Sequence, residues 1–292
     1  MKLEAFSRTA MYLAFFRAIE TAQPKEKRLF EDRLAKIFLD VRFKLALRIA
    51  TIPFLRNIAI DYIQKQGLGS LSVGIARTKY IDDLVKRAVD EGAKQVIILG
   101  AGFDTRAFRL PFLQDMPVVE IDHPNTLRYK LNKLKETIKD LPSNVRYLEL
   151  DFNKQAIKEF AIKNKIDFSL PTVIIWEGVS SYLSSVAVDK TFEFVKGFAP
   201  GTSIIFTYIN RLVLDNPENF GGAKELMEIL KADEEEWTFG FYPEQLASYL
   251  QKYGLSITED TGATEYRNMY IPERKNLHRG LKFHRVAFVK KM

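Results

Sequence analysis

Two glycines and three acidic residues in the middle of this 292-residue chain have the types and spacing of a nucleoside site. Gly100-Ala-Gly102 follows the apolar run Gln95-Val-Ile-Ile-Leu99, and Asp122 closes the run that begins at Pro117-Val-Val119. Asp151-Phe152 follows Val145-Arg-Tyr-Leu-Glu-Leu150, and Glu177 follows Thr172-Val-Ile-Ile-Trp176. Glycines at such a place let the backbone turn tightly and come close to a ligand. An acidic residue about 20 positions further on can accept hydrogen bonds from ribose hydroxyls.

These groups distinguish between ligands. A dinucleotide carries a pyrophosphate and asks for a third glycine and free N–H groups at a helix N-terminus. Here the third glycine position is Thr105. S-adenosylmethionine has no phosphate; its sulfonium, amino group and ribose donors suit carboxylates at successive strand ends. The alternatives are a nicotinamide-dependent oxidoreductase built on the same glycine pair and Asp122, and a non-catalytic, RNA-binding protein that uses the positive charge. No aromatic-basic RNA motif accompanies that charge.

The elements that must position these residues follow from the pattern. Short β-branched runs near 95–100, 117–122, 145–150, 172–176 and 202–208 read as strands buried on both faces of a parallel sheet. Helical stretches near 104–114, 124–138, 154–164 and 185–197 alternate with them, as in a doubly wound α/β sheet. A helix near 243–253, a strand near 255–258 and a half-covered strand from Phe283 to Lys290 complete it. Before the sheet, residues 1–70 read as helical, with Ser7 as an N-cap and breaks at Pro24 and Pro53, followed by one more amphipathic helix over Ile75–Asp90. The expected fold is a single α/β domain over 1–292, with a mostly parallel seven-stranded Rossmann-like sheet. Its parts are an N-terminal helical extension (1–70), a cofactor-binding core (71–210), an acidic helical lid insertion (211–240) and a C-terminal completion of the sheet (241–292).

Composition excludes several other chemistries. There is no cysteine, so disulfides, thiolate metal sites and cysteine nucleophiles are out. His123, His278 and His284 do not have metal-ligand spacing, and no metal is expected. The net charge of +7 is spread along the chain with acidic residues interspersed, as on a solvated surface. The apolar run Met11-Tyr-Leu-Ala-Phe-Phe16 is short and bracketed by charges, so it reads as a buried helix face. The expectation is a cytoplasmic protein with no membrane partner and no specific nucleic-acid partner.

Leu99-Gly-Ala-Gly-Phe-Asp-Thr-Arg106, Glu120-Ile-Asp-His-Pro124 and Pro171-Thr-Val-Ile-Ile-Trp-Glu-Gly-Val179 with Tyr182 together resemble the leucine carboxyl methyltransferase family, in particular its bacterial S-adenosylmethionine-dependent branch. Ser7-Arg-Thr-Ala10, Arg17-Ala-Ile-Glu20 and Tyr266-Arg-Asn-Met-Tyr270 with Arg274 extend the resemblance over nearly the whole chain. The resemblance implies that Arg77 holds the methionine carboxylate and that Gly100, with Gly102, lines the methionyl part. It implies that Asp122 binds ribose, Asp151-Phe152 recognises adenine, and Glu177 lies near the methionine amino group. Arg17, Tyr182 and Arg274 become candidates for binding the acceptor. Each also has a plainer use: Asp122 and Asp151 as helix caps, Arg77 as a surface helix residue, Tyr182 as core, His123 as structural.

Methyl transfer from a sulfonium is an in-line displacement that depends mainly on positioning. A carboxylate acceptor is already ionised at neutral pH, whereas most hydroxyls need a general base. With no cysteine and no evident base, the acceptor is expected to be a carboxylate or acidic hydroxyl, on a small molecule or a peptide.

Overall fold

The computed structural model describes residues 7–152, 154–272 and 281–292. Five parallel strands form its centre: β1 (Gln95–Leu99), β2 (Val118–Asp122), β3 (Val145–Glu149), β4 (Thr172–Trp176) and β5 (Ser203–Ile209). Two more, β6 (Leu255–Gly262) and β7 (His284–Lys291), close one edge antiparallel, giving the order β3-β2-β1-β4-β5-β7-β6. Every residue of β1 is buried, because alternate side chains enter two different cores. Val96 and Ile98 pack with Ile81 and Val85 of α4 (Ser70–Asp90) on one face. Ile97 and Leu99 pack with Phe192 and Val195 of α8 (Ser185–Lys196) on the other.

The same logic corrects the reading of the last strand. Val286 and Phe288 enter the first core, Ala287 and Val289 the second, so β7 is covered on both sides rather than half covered. It lies between β5 and β6, a position that its sequence neighbours do not reveal. The helix expected over 104–114 is one turn, α5 (Arg106–Arg109), followed by a 3-10 turn at Pro111–Leu113. The helix before β1 starts five residues earlier than the pattern suggested, at Ser70 rather than Ile75. A helix not expected from the pattern, α12 (Ala263–Tyr270), packs on α4.

The N-terminal segment caps the carboxyl ends of the strands. α1 (Arg8–Thr21) starts at Ser7, whose hydroxyl accepts the Ala10 N–H at 3.1 Å. It packs with α2 (Val41–Thr51), a 3-10 turn at Ala35–Phe38 and Phe103 into a third core. α3 (Arg56–Gln66) follows the break at Pro53 and returns against α2. No helix among the described residues is long and apolar enough to cross a membrane.

Under the site, Glu120 of β2 and Lys130 of α6 (Pro124–Thr137) form an ion pair with neither side chain exposed. The second Glu120 oxygen has no hydrogen-bond partner among the described residues. Burial pushes this carboxyl up to about 7 despite the pull of Lys130. A carboxyl with a folded pKa above its unfolded value of about 4.3 holds its proton more tightly in the fold. Its contribution to stability is therefore lost as pH rises from about 4.3 to about 7. In urea unfolding, wild-type stability should fall over this range by more than that of Glu120→Gln. Lys130→Met, which leaves the carboxylate buried and alone, should cost about 3–5 kcal/mol.

Candidate active site

A cavity of about 490 Å³ opens at the carboxyl ends of β1–β4. Strand order reverses there between β1 and β4, the position where open α/β sheets bind ligands. Gly100, Gly102, Asp122, Asp151, Phe152 and Glu177 all line this cavity, as do Arg17 and Tyr182. Both glycines have the left-handed backbone that other residues adopt at a cost, with φ of +63° at Gly100 and +48° at Gly102. A Cβ on Gly100 would run into the Val179 side chain, and one on Gly102 would lie 3.1 Å from Ala10 of α1.

Asp122 does not cap a helix. Its two carboxylate oxygens accept the backbone N–H groups of Gly102 and, at 2.5 Å, His123. The N-cap of α6 is His123, whose Nδ1 accepts the Asn125 N–H at 3.3 Å, so this histidine is structural. Burial raises the Asp122 carboxyl, against the two backbone donors that lower it. Asp151 is no cap either, since α7 (Ile157–Lys163) starts beyond it; its Oδ2 lies 3.1 Å from Lys154 and 3.7 Å from His123.

Behind the glycine turn lies a buried guanidinium that the sequence reading left without a role. Arg106 bonds Asp82 through Nε at 2.8 Å, Glu177 through Nη2 at 2.9 Å, and Asp104 through Nη1. Arg109 adds two bonds to Asp82, at 2.6 and 2.8 Å. Arg77 joins the same network, with its Nε 2.9 Å from Glu177 Oε1. Burial alone would raise Asp104, but Arg106, Lys130 and Arg17 bring it down to about 2. Glu177 is lowered too, its desolvation outweighed by Arg106 and Arg77. Both carboxylates are therefore ionised at neutral pH.

This network argues against a pyrophosphate. The helix after the glycine turn is only four residues long, and its Arg106 N–H is already taken at 2.7 Å by Asp104. A diphosphate would meet carboxylates rather than free donors. The acidic wall fits the cationic and hydroxyl groups of S-adenosylmethionine instead.

The candidate acceptor-binding residues separate. Arg17 reaches the cavity, but its Nε is bonded to Asp32 at 2.8 Å and its Nη2 to the Phe103 carbonyl at 2.5 Å. Thr105 also donates to Asp32 at 2.6 Å, so this unit ties α1 to the glycine turn. Tyr182 is half-buried, with its hydroxyl 3.2 Å from Thr9 Oγ1. Arg274 lies outside the described residues.

A second chamber, of about 420 Å³, adjoins the first, and Thr9, Leu13, Gly178 and Tyr182 line both. Arg77 and His284 face this second chamber. His284 stands edge-on to Trp237 and beside Phe283. Burial, reinforced by the positive charge of Arg77, lowers its imidazole to about 3, so it is neutral at physiological pH. The acidic stretch Asp233–Glu236, which follows α10 (Ala223–Ala232), lines the first cavity. Glu235 holds this stretch to α1 by accepting the Arg8 and Thr9 N–H groups at 2.8 and 2.9 Å. Arg106 and its partner Asp104 stand within a motif singled out in the sequence, but Asp82 comes from α4 and Glu177 from the end of β4, and no local spacing signals those two. Glu235 lies in the acidic stretch expected as a lid, His284 stood out only as lacking metal-ligand spacing, and Asp32 gave no signal.

The model of the family described as leucine carboxyl methyltransferase matches residues 10–196. The Bacillus subtilis protein YktD, provisionally named an S-adenosyl-L-methionine-dependent methyltransferase, is 29% identical over 228 residues, 74% of this chain and 72% of that protein. A Mycobacterium avium protein with the same provisional name is 29% identical over 273 residues, covering 87% and 85%. Among solved structures, a DUF574 family protein from Streptomyces avermitilis shares the fold at TM-score 0.57 and 12% identity, covering 94% of this chain and 100% of that one. A provisionally named methyltransferase from Thermobifida fusca does so at TM-score 0.53 and 19% identity, covering 94% of each. The chain belongs to the leucine carboxyl methyltransferase family, and it is an S-adenosylmethionine-dependent methyltransferase.

Proposed function

We propose that the protein methylates an oxygen of a carboxylate or acidic hydroxyl by in-line displacement. The observation that carries this reading is the junction of the two cavities, whose shared lining residues Thr9, Leu13, Gly178 and Tyr182 include no imidazole and no carboxylate. Burial, reinforced by Arg77, leaves the His284 imidazole of the second chamber a weak base, with a pKa of about 3. Burial raises the Tyr182 hydroxyl, and the Tyr208 hydroxyl is engaged by Asp260 at 2.8 Å. An acceptor that arrives ionised needs none of them.

S-adenosylmethionine, when bound, supplies an electrophilic methyl on a sulfonium that departs as a neutral thioether. We assign Asp122 to the ribose hydroxyls, a role supported by the two backbone donors that fix its oxygens at the cavity wall. Asp151 and Phe152 are assigned to adenine, and Gly100 and Gly102 to the methionyl part, as residues that line the same cavity. Arg77 and Glu177 are assigned to the methionine carboxylate and amino group, held by their mutual bond. In the transfer, an acceptor lone pair forms the O–CH3 bond while the S–CH3 pair returns to sulfur. A carboxylate releases no proton, so the protein need only orient the oxygen and exclude water.

Initial rates of methyl transfer to a panel of carboxylic acids and phenols test the reading. For a carboxylate acceptor, kcat/KM should stay flat from about pH 6 to about pH 9, since the acid is ionised throughout. A rise through that range would assign a hydroxyl that has to lose its proton. Glu177→Gln should raise the KM for S-adenosylmethionine about tenfold or more, the loss of roughly one charge-assisted contact.

A further inference from the structure

The second chamber differs from the first in chemistry. Its wall is largely apolar, built by Phe16, Phe43, Val73, Leu226, Leu230 and Trp237 from the N-terminal helices, α4, α10 and the stretch after it. Its volume of about 420 Å³ falls within the range of about 300–1,000 Å³ that suits a small organic ligand. Most of the hydroxyls at its edge are already engaged by the protein: Thr9 by Glu235, Tyr12 by Asp233, Ser70 by the Gly67 carbonyl and Tyr208 by Asp260. His284 is the contrast, a lining side chain with no hydrogen bond to another described residue. The chamber meets the cofactor cavity at Thr9, Leu13, Gly178 and Tyr182, beside Glu177.

We propose that this chamber is the acceptor site and that it takes a small amphipathic carboxylic acid, with an apolar aliphatic or aryl body under the helical cap and the carboxylate at the junction. The proposal rests on the carboxylate reading above and adds the shape and polarity of the substrate. A peptide terminus fits poorly. Each of its residues would bring an amide N–H and C=O into a wall with few free partners, and an unpaired buried amide is costly. An apolar body loses nothing there and gains from leaving water. On the chamber side a carboxylate would find the imidazole of His284, near Arg77, with the junction at Gly178 as its way to the cofactor cavity. The chemistry balances without another reactant: one O–CH3 bond forms, one S–CH3 bond breaks, and a methyl ester and S-adenosylhomocysteine result.

The test is calorimetric titration of hexanoate, octanoate and decanoate into the full-length protein saturated with S-adenosylhomocysteine, with methyl transfer to the same acids followed in parallel. Affinity should rise up to about fourfold per added methylene until the chamber is full. Leu226→Glu, which puts a charge in the apolar wall, should weaken decanoate at least tenfold while S-adenosylhomocysteine still binds. Binding that ignores chain length, or is indifferent to Leu226→Glu, overturns the proposal. Methylation of short polar acids or a leucine-ended peptide without decanoate binding overturns it too, yet leaves the carboxylate reading standing. Decanoate bound but never methylated, with phenols methylated instead, overturns the carboxylate reading and with it the acid assigned to the chamber.

Discussion

Arg106 is 3% exposed and sits where three parts of the chain meet: α4 through Asp82, the turn after β1 through Asp104, and the end of β4 through Glu177. A guanidinium taken out of water is tolerable only if its donors are satisfied, and here all three nitrogens are. Such a cluster adds little net stability, since desolvation offsets much of the attraction. What it does is fix geometry. With Asp104 and Glu177 pinned to one cation, the glycine turn and the end of β4 hold a set separation, and the cavity between them is shaped before any ligand arrives. Arg17, Asp32 and Thr105 form a second strut, which fastens the helical cap to the same turn.

The two cavities divide the work. Carboxylates and backbone groups at the strand ends form one, suited to a cationic nucleoside. Side chains of the cap form the other, suited to an apolar body. The backbone of Gly178 and the rings and methyls around Tyr182 and Leu13 form the passage between them. Glu235 matters to both, because its carboxylate satisfies two N–H groups of the first turn of α1 and so holds the acidic stretch beside the cavity. The 211–240 segment, expected as a lid, thus contributes α10 to one chamber and Asp233–Glu236 to the other.

The parallel strands were legible because burial on both faces demands β-branched runs, and the ends of those runs located the acids. Gly100, Asp122, Asp151 and Glu177 could be found from sequence since one topology places all strand ends on one edge. Other features are invisible to local pattern. β7 receives both its cores from elements far away in sequence, so its alternation of residue types suggested one open face. α12 carries Ala263, Tyr266 and Tyr270 at helical spacing, but over only eight residues directly after β6, too short a run to stand out from a strand; its buried face is set by packing on α4. Arg106 looks like any arginine until α4 and β4 are brought to it. His284 and the apolar chamber need several elements to meet before they exist.

The central claim is that strand-end carboxylates, Asp122 fixed by backbone donors and Glu177 by buried charge, form a phosphate-free nucleoside site. Calorimetric titration of wild type and Asp122→Ala with S-adenosylhomocysteine, and of wild type with NAD, tests it most directly. The account predicts micromolar binding of S-adenosylhomocysteine to wild type, at least a hundredfold loss in Asp122→Ala, as removal of a charged partner of two ribose hydroxyls implies, and no heat with NAD. Binding of NAD by the wild type, or S-adenosylhomocysteine affinity that survives the loss of the Asp122 carboxylate, would contradict it.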